Sequence, residues 1–466
     1  MMKIFFSIFF FCLVPITFAY GEEPELLIGD YKLEKFVTGL NVPITLDFID
    51  NDILVLQKND GQIRLIQNDI LQEQPILDLE VSNYGEQGLL GITTNNDKFY
   101  LFFTEAHHDG GLSLGNKIYE YTWNGEQVSN PKLLKSLPGW VQGYNAGVMA
   151  HDLEKSLFIV SGTQYKFGAT QNTSFEDSVN CRTDKKICQD ENVVSLSDSI
   201  QKTLSCMKVS FFHYTTNPFG HQTIQPEQEK NPMELNPINV ITNLGSCFSG
   251  FYFDNFSDGN WKDTSVVIEL TSESDSYRAI GIRNSFGITV DPITGNLWMT
   301  ENGPDKFDEI NLVEKNFNSG WAKIIGPIYD KNIVSVTPYQ DYVYSDPEFS
   351  WELPIGITAI DFSPNSFQQS NSLVVADTNH GNIYILKLNE NRNGFIFESE
   401  NLKDLIVNID PENTYGNFHE SMDEIMFGKN FGVITDLKFG PDGKLYVVSI
   451  MDGTIYRISP NIDPDI

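Results

Sequence analysis

The sequence predicts an all-β fold, a six-bladed β-propeller carrying a cysteine-containing insertion. Three observations point there: a hairpin pattern with six copies, a more apolar stretch ahead of most copies, and one long polar interruption of the series. The last copy displays the pattern in full. In "FGPDGKLYVVSIMDGTIYRISP", residues 439–460, Leu445, Val447 and Ser449 alternate to one side, Met451-Asp452-Gly453 turns the chain, and Thr454 to Ile458 runs back. The Asp-Gly pair supplies the positive φ that a tight hairpin needs. A lone hairpin is marginal in water, so this one implies neighbours.

Its relatives follow in order along the chain. "NDILVLQKNDGQIRLIQ" at 51–67 and "NSLVVADTNHGNIYILKL" at 371–388 repeat strand, turn and returning strand. Segments 96–123, 154–168 and 292–313 lie between them, which gives six inner-strand candidates. Ahead of most of these stands a second apolar stretch, such as "GLLGITT" at 88–94, "FGITVDP" at 286–292, "GITAIDFSP" at 356–364 or "ITDLKFGP" at 434–441. Paired hairpins make four-stranded sheets, and such sheets repeated around an axis leave few open edges. The spacing from 157 to 297 is too large for one blade, so an insertion is expected over 165–260 within a propeller spanning 26–462. Two stacked β-sandwiches are the competing architecture, distinguished by whether the first and last strands pair to close a ring.

Composition narrows the function classes. The 466 residues are 41% hydrophobic and 12% aromatic, which argues against disorder. A formal charge of −32 disfavours nucleic acid and anionic lipid by long-range repulsion. The start, "MMKIFFSIFFFCLVPITFAYG", has one Lys, an apolar run from Ile4 to Val14 and a small residue at Ala19. That run is shorter than the roughly 20 residues a bilayer needs, so 1–19 reads as a secretory signal, with an uncleaved anchor as the alternative. Export makes the protein secreted or extracytoplasmic, and there Cys181, Cys188, Cys206 and Cys247 would form two disulfides with three pairings open.

The densest polar segment beside a strand is "GIRNSFGITVDPITGNLWMTENGPDKFDEINLV", residues 281–313. Arg283 stands just before an apolar strand, where a fixed guanidinium can hold a carboxylate bidentately. Asp305, Asp308 and Glu309 offer oxygen ligands to a hard cation such as calcium, and Gly303-Pro304 offers turn carbonyls.

The chain resembles the glucose/sorbosone dehydrogenase family through "GLNVPITLDFIDNDILVLQKNDGQI" at 39–63, "GEQGLLGI" at 85–92, residues 283–313, "NSGW" at 318–321 and "GVITDLKFGPDGKLYV" at 432–447. The resemblance implies a six-bladed propeller that oxidises a sugar with pyrroloquinoline quinone (PQQ) and calcium. It implies a sugar or other small polar ligand and a redox partner, while the insertion is the candidate for contacting a protein. By that resemblance Gln87 lies near sugar and quinone, and Arg283, Asn284 and Asn302 are cofactor-binding. Gly303, Pro304 and Asp308 are then the metal-binding set. The family's catalytic histidine is replaced by Tyr144 in "GYNAGVMAHD", and its orienting aspartate by Thr163. A phenol with an ordinary pKa of about 10 is a poor base at neutral pH. Two cofactor arginines are replaced by Val433 and Thr435, with Lys429 and Lys438 the cations nearest in sequence. Two function classes follow: a PQQ-dependent sugar dehydrogenase with Tyr144 and Gln87 as its catalytic residues, or a binding propeller that has lost that chemistry.

Overall fold

The computed structural model describes residues 22–152, 156–164, 169–172, 212–216, 222–226, 263–328, 340–408 and 422–461. The chain divides into two compact units, Met1–Ser174 with Asp263–Ile466, and Phe175–Lys262. In the second unit Phe212–Thr216 pairs antiparallel with Gln222–Pro226. The proposed signal and the four cysteines with their disulfides lie outside the described residues.

The larger unit is an all-β propeller. Among its described residues are six sheets of four to six strands. Their first strands are Pro43–Ile49, Leu89–Asn95, Ala146–His151, Ile288–Val290, Ile357–Phe362 and Ile434–Phe439. Each first strand packs against the next, and the sixth returns to the first, so the six line one axis. The stretches lining the axis are therefore the apolar ones ahead of the hairpins. The hairpins taken in the sequence for inner strands supply the second and third strands instead, as Asp52–Gln57 and Gln62–Gln67 do in the first sheet. An axial strand faces neighbours on both sides, which suits a continuous apolar run better than alternation.

The terminal strands pair. Tyr31–Val37 lies antiparallel to Thr454–Pro460, so an early strand completes the last sheet. That pairing fits a closed ring and not two sandwiches. In the third sheet Leu157–Ser161 has as its direct partner Val266–Leu270, the next strand of the same unit although more than a hundred residues on. Between sheets the core is apolar: Leu54, Leu56 and Ile63 of the first meet Phe99, Leu101 and Phe103 of the second, all nearly fully buried. At the Asp60-Gly61 turn Gly61 has φ +67°, and a Cβ there would meet the Leu79 carbonyl oxygen at 1.8 Å. Only glycine fits that approach.

Five of the six first strands carry a register irregularity within their opening residues, at Pro43/Thr45, Leu89/Gly91, Ala146/Met149, Ile357/Ala359 and Ile434/Asp436. Such bulges bend a strand and re-aim its side chains. Here they sit where the strands begin, and so shape one end of the axis.

Candidate functional site

Inside the ring of first strands is an axial cavity of about 340 Å³. Five first strands contribute its aliphatic wall: Ile44, Leu90, Ile92, Val148, Ile288 and Ile360. Polar groups gather at its two ends. Lys58, Glu86, Asn302 and Thr378 lie where first strands begin or second strands end, and form the mouth. Asp436 and Lys438 of the sixth sheet form the floor. The Lys438 ammonium is 3.5 Å from Asp47, and burial beside Asp47, Asp436 and Asp361 leaves it raised above the usual lysine value despite desolvation.

Beside the mouth stands Arg283, buried, with three of its five guanidinium N–H groups engaged within the protein. Nη1 donates to the carbonyls of Asn302 at 2.7 Å and Gly303 at 3.1 Å, and Nη2 donates to the Tyr144 hydroxyl at 3.0 Å. The same guanidinium lies 4.6 Å from the centre of the Tyr144 ring and 5.5 Å from that of Trp321. Tyr144 and Ala146 hold positive φ, 58° and 54°. For non-glycine residues this costs about 1–2 kcal/mol each, and such strain persists only where surroundings over-determine it. The surroundings do: Glu86 accepts from the Asn145 amide at 3.1 Å, and Asn145 Nδ2 donates to the Val141 carbonyl at 2.9 Å.

The predicted metal residues are occupied by the protein itself. Gly303 O receives Arg283, as above. Asp308 Oδ1 accepts from the Gly303 amide at 2.9 Å, and its Oδ2 accepts from the Gly356 and Ile357 amides at 2.7 and 3.0 Å. Asp308 therefore braces two loops. Pro304 lines a second, much smaller cavity of about 10 Å³ with Arg283, Asn302, Glu301 and Glu309. Glu301 and Glu309 face each other across adjacent strands. Burial pushes both carboxyls up, and for Glu309 the Glu301 charge adds to it. Glu301 accepts from the Arg283 amide and the Ser319 hydroxyl, both at 2.6 Å.

Gln87 departs from its expected role. It is buried, its Oε1 accepts from Ser82 and its Nε2 donates to the carbonyls of Gly139 and Val141, so its amide ties loops together away from the cavity. Glu86, one residue earlier, is the side chain at the mouth, and sequence reading missed it. The available signal was a lone acid directly ahead of an apolar axial strand. Burial raises the Glu86 carboxyl above its usual value, against the Asn145 amide and the Asn284 side chain, whose Nδ2 approaches it at 3.3 and 3.4 Å. Lys58 was missed as well; its ammonium donates to the Gly85 carbonyl at 2.8 Å, and burial lowers its pKa, against Glu86.

Of the expected substitutes, Lys438 reaches the cavity but sits among carboxylates, while Lys429 pairs with Glu25 at 3.1 Å. Thr435 lines the cavity and Thr163 is buried under Trp321, whose indole donates to it at 3.4 Å. His151 is at the far end of its strand from Tyr144, its ring tilted against Tyr100 with centroids 4.6 Å apart.

The glucose/sorbosone dehydrogenase sequence profile matches residues 40–203 and 256–457. The chain belongs to this family. An uncharacterized protein of Synechocystis is 28% identical over 175 residues, 36% of this chain and 35% of that protein. The Escherichia coli aldose sugar dehydrogenase YliI is 35% identical over 63 residues, 14% of this chain and 17% of that protein. The matches thus span about a third and a sixth of these relatives' lengths. The PQQ-bound aldose sugar dehydrogenase of Streptomyces coelicolor shares the fold, with a TM-score of 0.55 at 15% identity over 94% of this chain and 98% of that one.

Proposed function

We propose that this chain is a six-bladed, extracytoplasmic propeller that binds a small ligand in its axial cavity and does not perform quinone-dependent sugar oxidation. One observation carries the reading: Arg283, the cation that the family resemblance assigns to the quinone, commits three of its five N–H groups to two backbone carbonyls and Tyr144. PQQ is a tricarboxylate and needs several charge-assisted donors in its pocket. The cations lining this cavity are Lys58 and Lys438, and the carboxylates Glu86 and Asp436 stand beside them. The residues present do not fit the quinone. Calcium is disfavoured in the predicted cradle, because the Arg283 guanidinium sits on Gly303 O and the Asp308 oxygens are turned to backbone amides.

The test is to add PQQ and calcium to the purified protein and record the bound-quinone spectrum and glucose-dependent dye reduction. No bound quinone and background dye reduction are expected. Turnover that needs PQQ and is lost in Tyr144→Phe would overturn the reading.

A second reading, a PQQ-dependent sugar dehydrogenase, is supported by family membership and by Glu86. A carboxylate at the cavity mouth with a raised pKa is a candidate general base in place of the missing histidine. Under this reading Glu86→Gln would abolish dye reduction by the PQQ-loaded protein.

A further inference from the structure

The chemistry of the axial wall says more about the ligand than the mouth does. Between mouth and floor the aliphatic side chains Ile44, Leu90, Ile92, Val148, Ile288 and Ile360 share the wall with Thr45, Thr358 and Thr435, whose hydroxyls donate to Asp436 and to the Ile434 and Pro43 carbonyls. The aliphatic section cannot answer a hydroxyl and the threonine protons are already engaged, so a hexose placed here would bury several donors and acceptors without partners. The charges at each end are already answered within the protein. Lys58 donates to the Gly85 carbonyl beside Glu86, and Lys438 lies among Asp47, Asp361 and Asp436. An anionic ligand would therefore meet balanced charge at the mouth and an excess of carboxylate at the floor.

We infer that the axial cavity binds a neutral amphiphile, an apolar body of medium length bearing one hydroxyl, as in a medium-chain alcohol. The inference rests on the ligand-binding reading above and names its ligand class. A cavity of about 340 Å³ is at the small end of ligand pockets, which run from roughly 300 to 1,000 Å³. The apolar body fills the aliphatic section. The hydroxyl both donates and accepts, and at either end it finds a cation beside a carboxylate, Lys58 with Glu86 or Lys438 with Asp436.

The experiment titrates the full chain with the neutral fluorescent probe 1-N-phenylnaphthylamine and then competes it off. Saturable, blue-shifted fluorescence is expected, displaced by 1-decanol and not by glucose, decanoate, decylamine, or PQQ with calcium. Filling the cavity by Ile360→Trp, and separately at Ile450, which lines it just past the strand Leu445–Ser449, by Ile450→Trp, should each weaken decanol at least about ten-fold. Each variant's circular dichroism and unfolding midpoint would be compared with the parent, and a variant that does not fold is replaced in the comparison by the other. Binding unaffected in a folded variant, or decanoate or decylamine displacing the probe at lower concentration than decanol, would overturn the inference. If neither probe nor PQQ binds, the ligand class is wrong while the absence of quinone chemistry stands. If PQQ displaces the probe and glucose then reduces dye, the proposed function itself has failed.

Discussion

Replacing Arg283 by Met separates a structural brace from a cofactor contact. In the folded protein this guanidinium makes three hydrogen bonds, at 2.7, 3.1 and 3.0 Å, and lies against two aromatic rings. Hydrogen bonds to a charged group are worth about 1.5–3 kcal/mol each, and a cation over an aromatic ring about 0.5–2 kcal/mol. Those gains are offset by several kcal/mol for burying the charge, which the methionine variant no longer incurs. What remains is two carbonyls and a hydroxyl without their donor, so the expected loss of stability is about 2–4 kcal/mol. Tyr144→Phe removes one acceptor and keeps the ring, and should lose about 1–2 kcal/mol. Urea unfolding followed by tryptophan fluorescence measures both, with a PQQ titration run in parallel on each protein. The reasoning is refuted if Arg283→Met unfolds within about 0.5 kcal/mol of the parent and instead abolishes PQQ binding that the parent displays.

Two further expectations concern the scaffold. Burial raises the Glu348 carboxyl to about 8, against the Leu312 amide that it accepts from at 2.5 Å. Its folded pKa lies above the unfolded value, so its contribution to stability is complete below about pH 4 and is lost as pH rises through 8. Glu348→Gln should flatten the decline in unfolding free energy between those limits; an unchanged slope would show that the carboxyl ionises freely in the fold. Arg392 holds Asp291 by two hydrogen bonds of 2.6 and 2.9 Å, with both side chains buried. Arg392→Met leaves the carboxylate uncompensated and should destabilise by about 3–5 kcal/mol, part of which Asp291→Asn should restore. A double variant no more stable than the single one would mean that the other donors to Asp291 suffice.

Much of the fold is legible because strand and turn chemistry is local. The alternation at 445–458, the Asp-Gly turns and the apolar runs at 88–94, 286–292, 356–364 and 434–441 all became strands or turns in the expected places. The misreading was radial. Neighbouring residues cannot say which of two strands lies nearer an axis, since that depends on sheets far apart in sequence, such as the contact between 43–49 and 434–439.

The site divides in the same way. Sequence by itself determined that Tyr144, Thr163, Val433 and Thr435 stand where the family resemblance expects a histidine, an aspartate and two arginines, because residue identity needs no geometry. Only the tertiary structure decided that Arg283 turns toward Asn302, Gly303 and Tyr144, and that Glu86 rather than Gln87 faces the cavity. It also decided that Lys438, 391 residues from Asp47 along the chain, is balanced by it. Hydrogen bonds and charge pairs of this kind act over a few ångströms. Their partners are set by which loops the ring closure brings together, and no local pattern of residues records that.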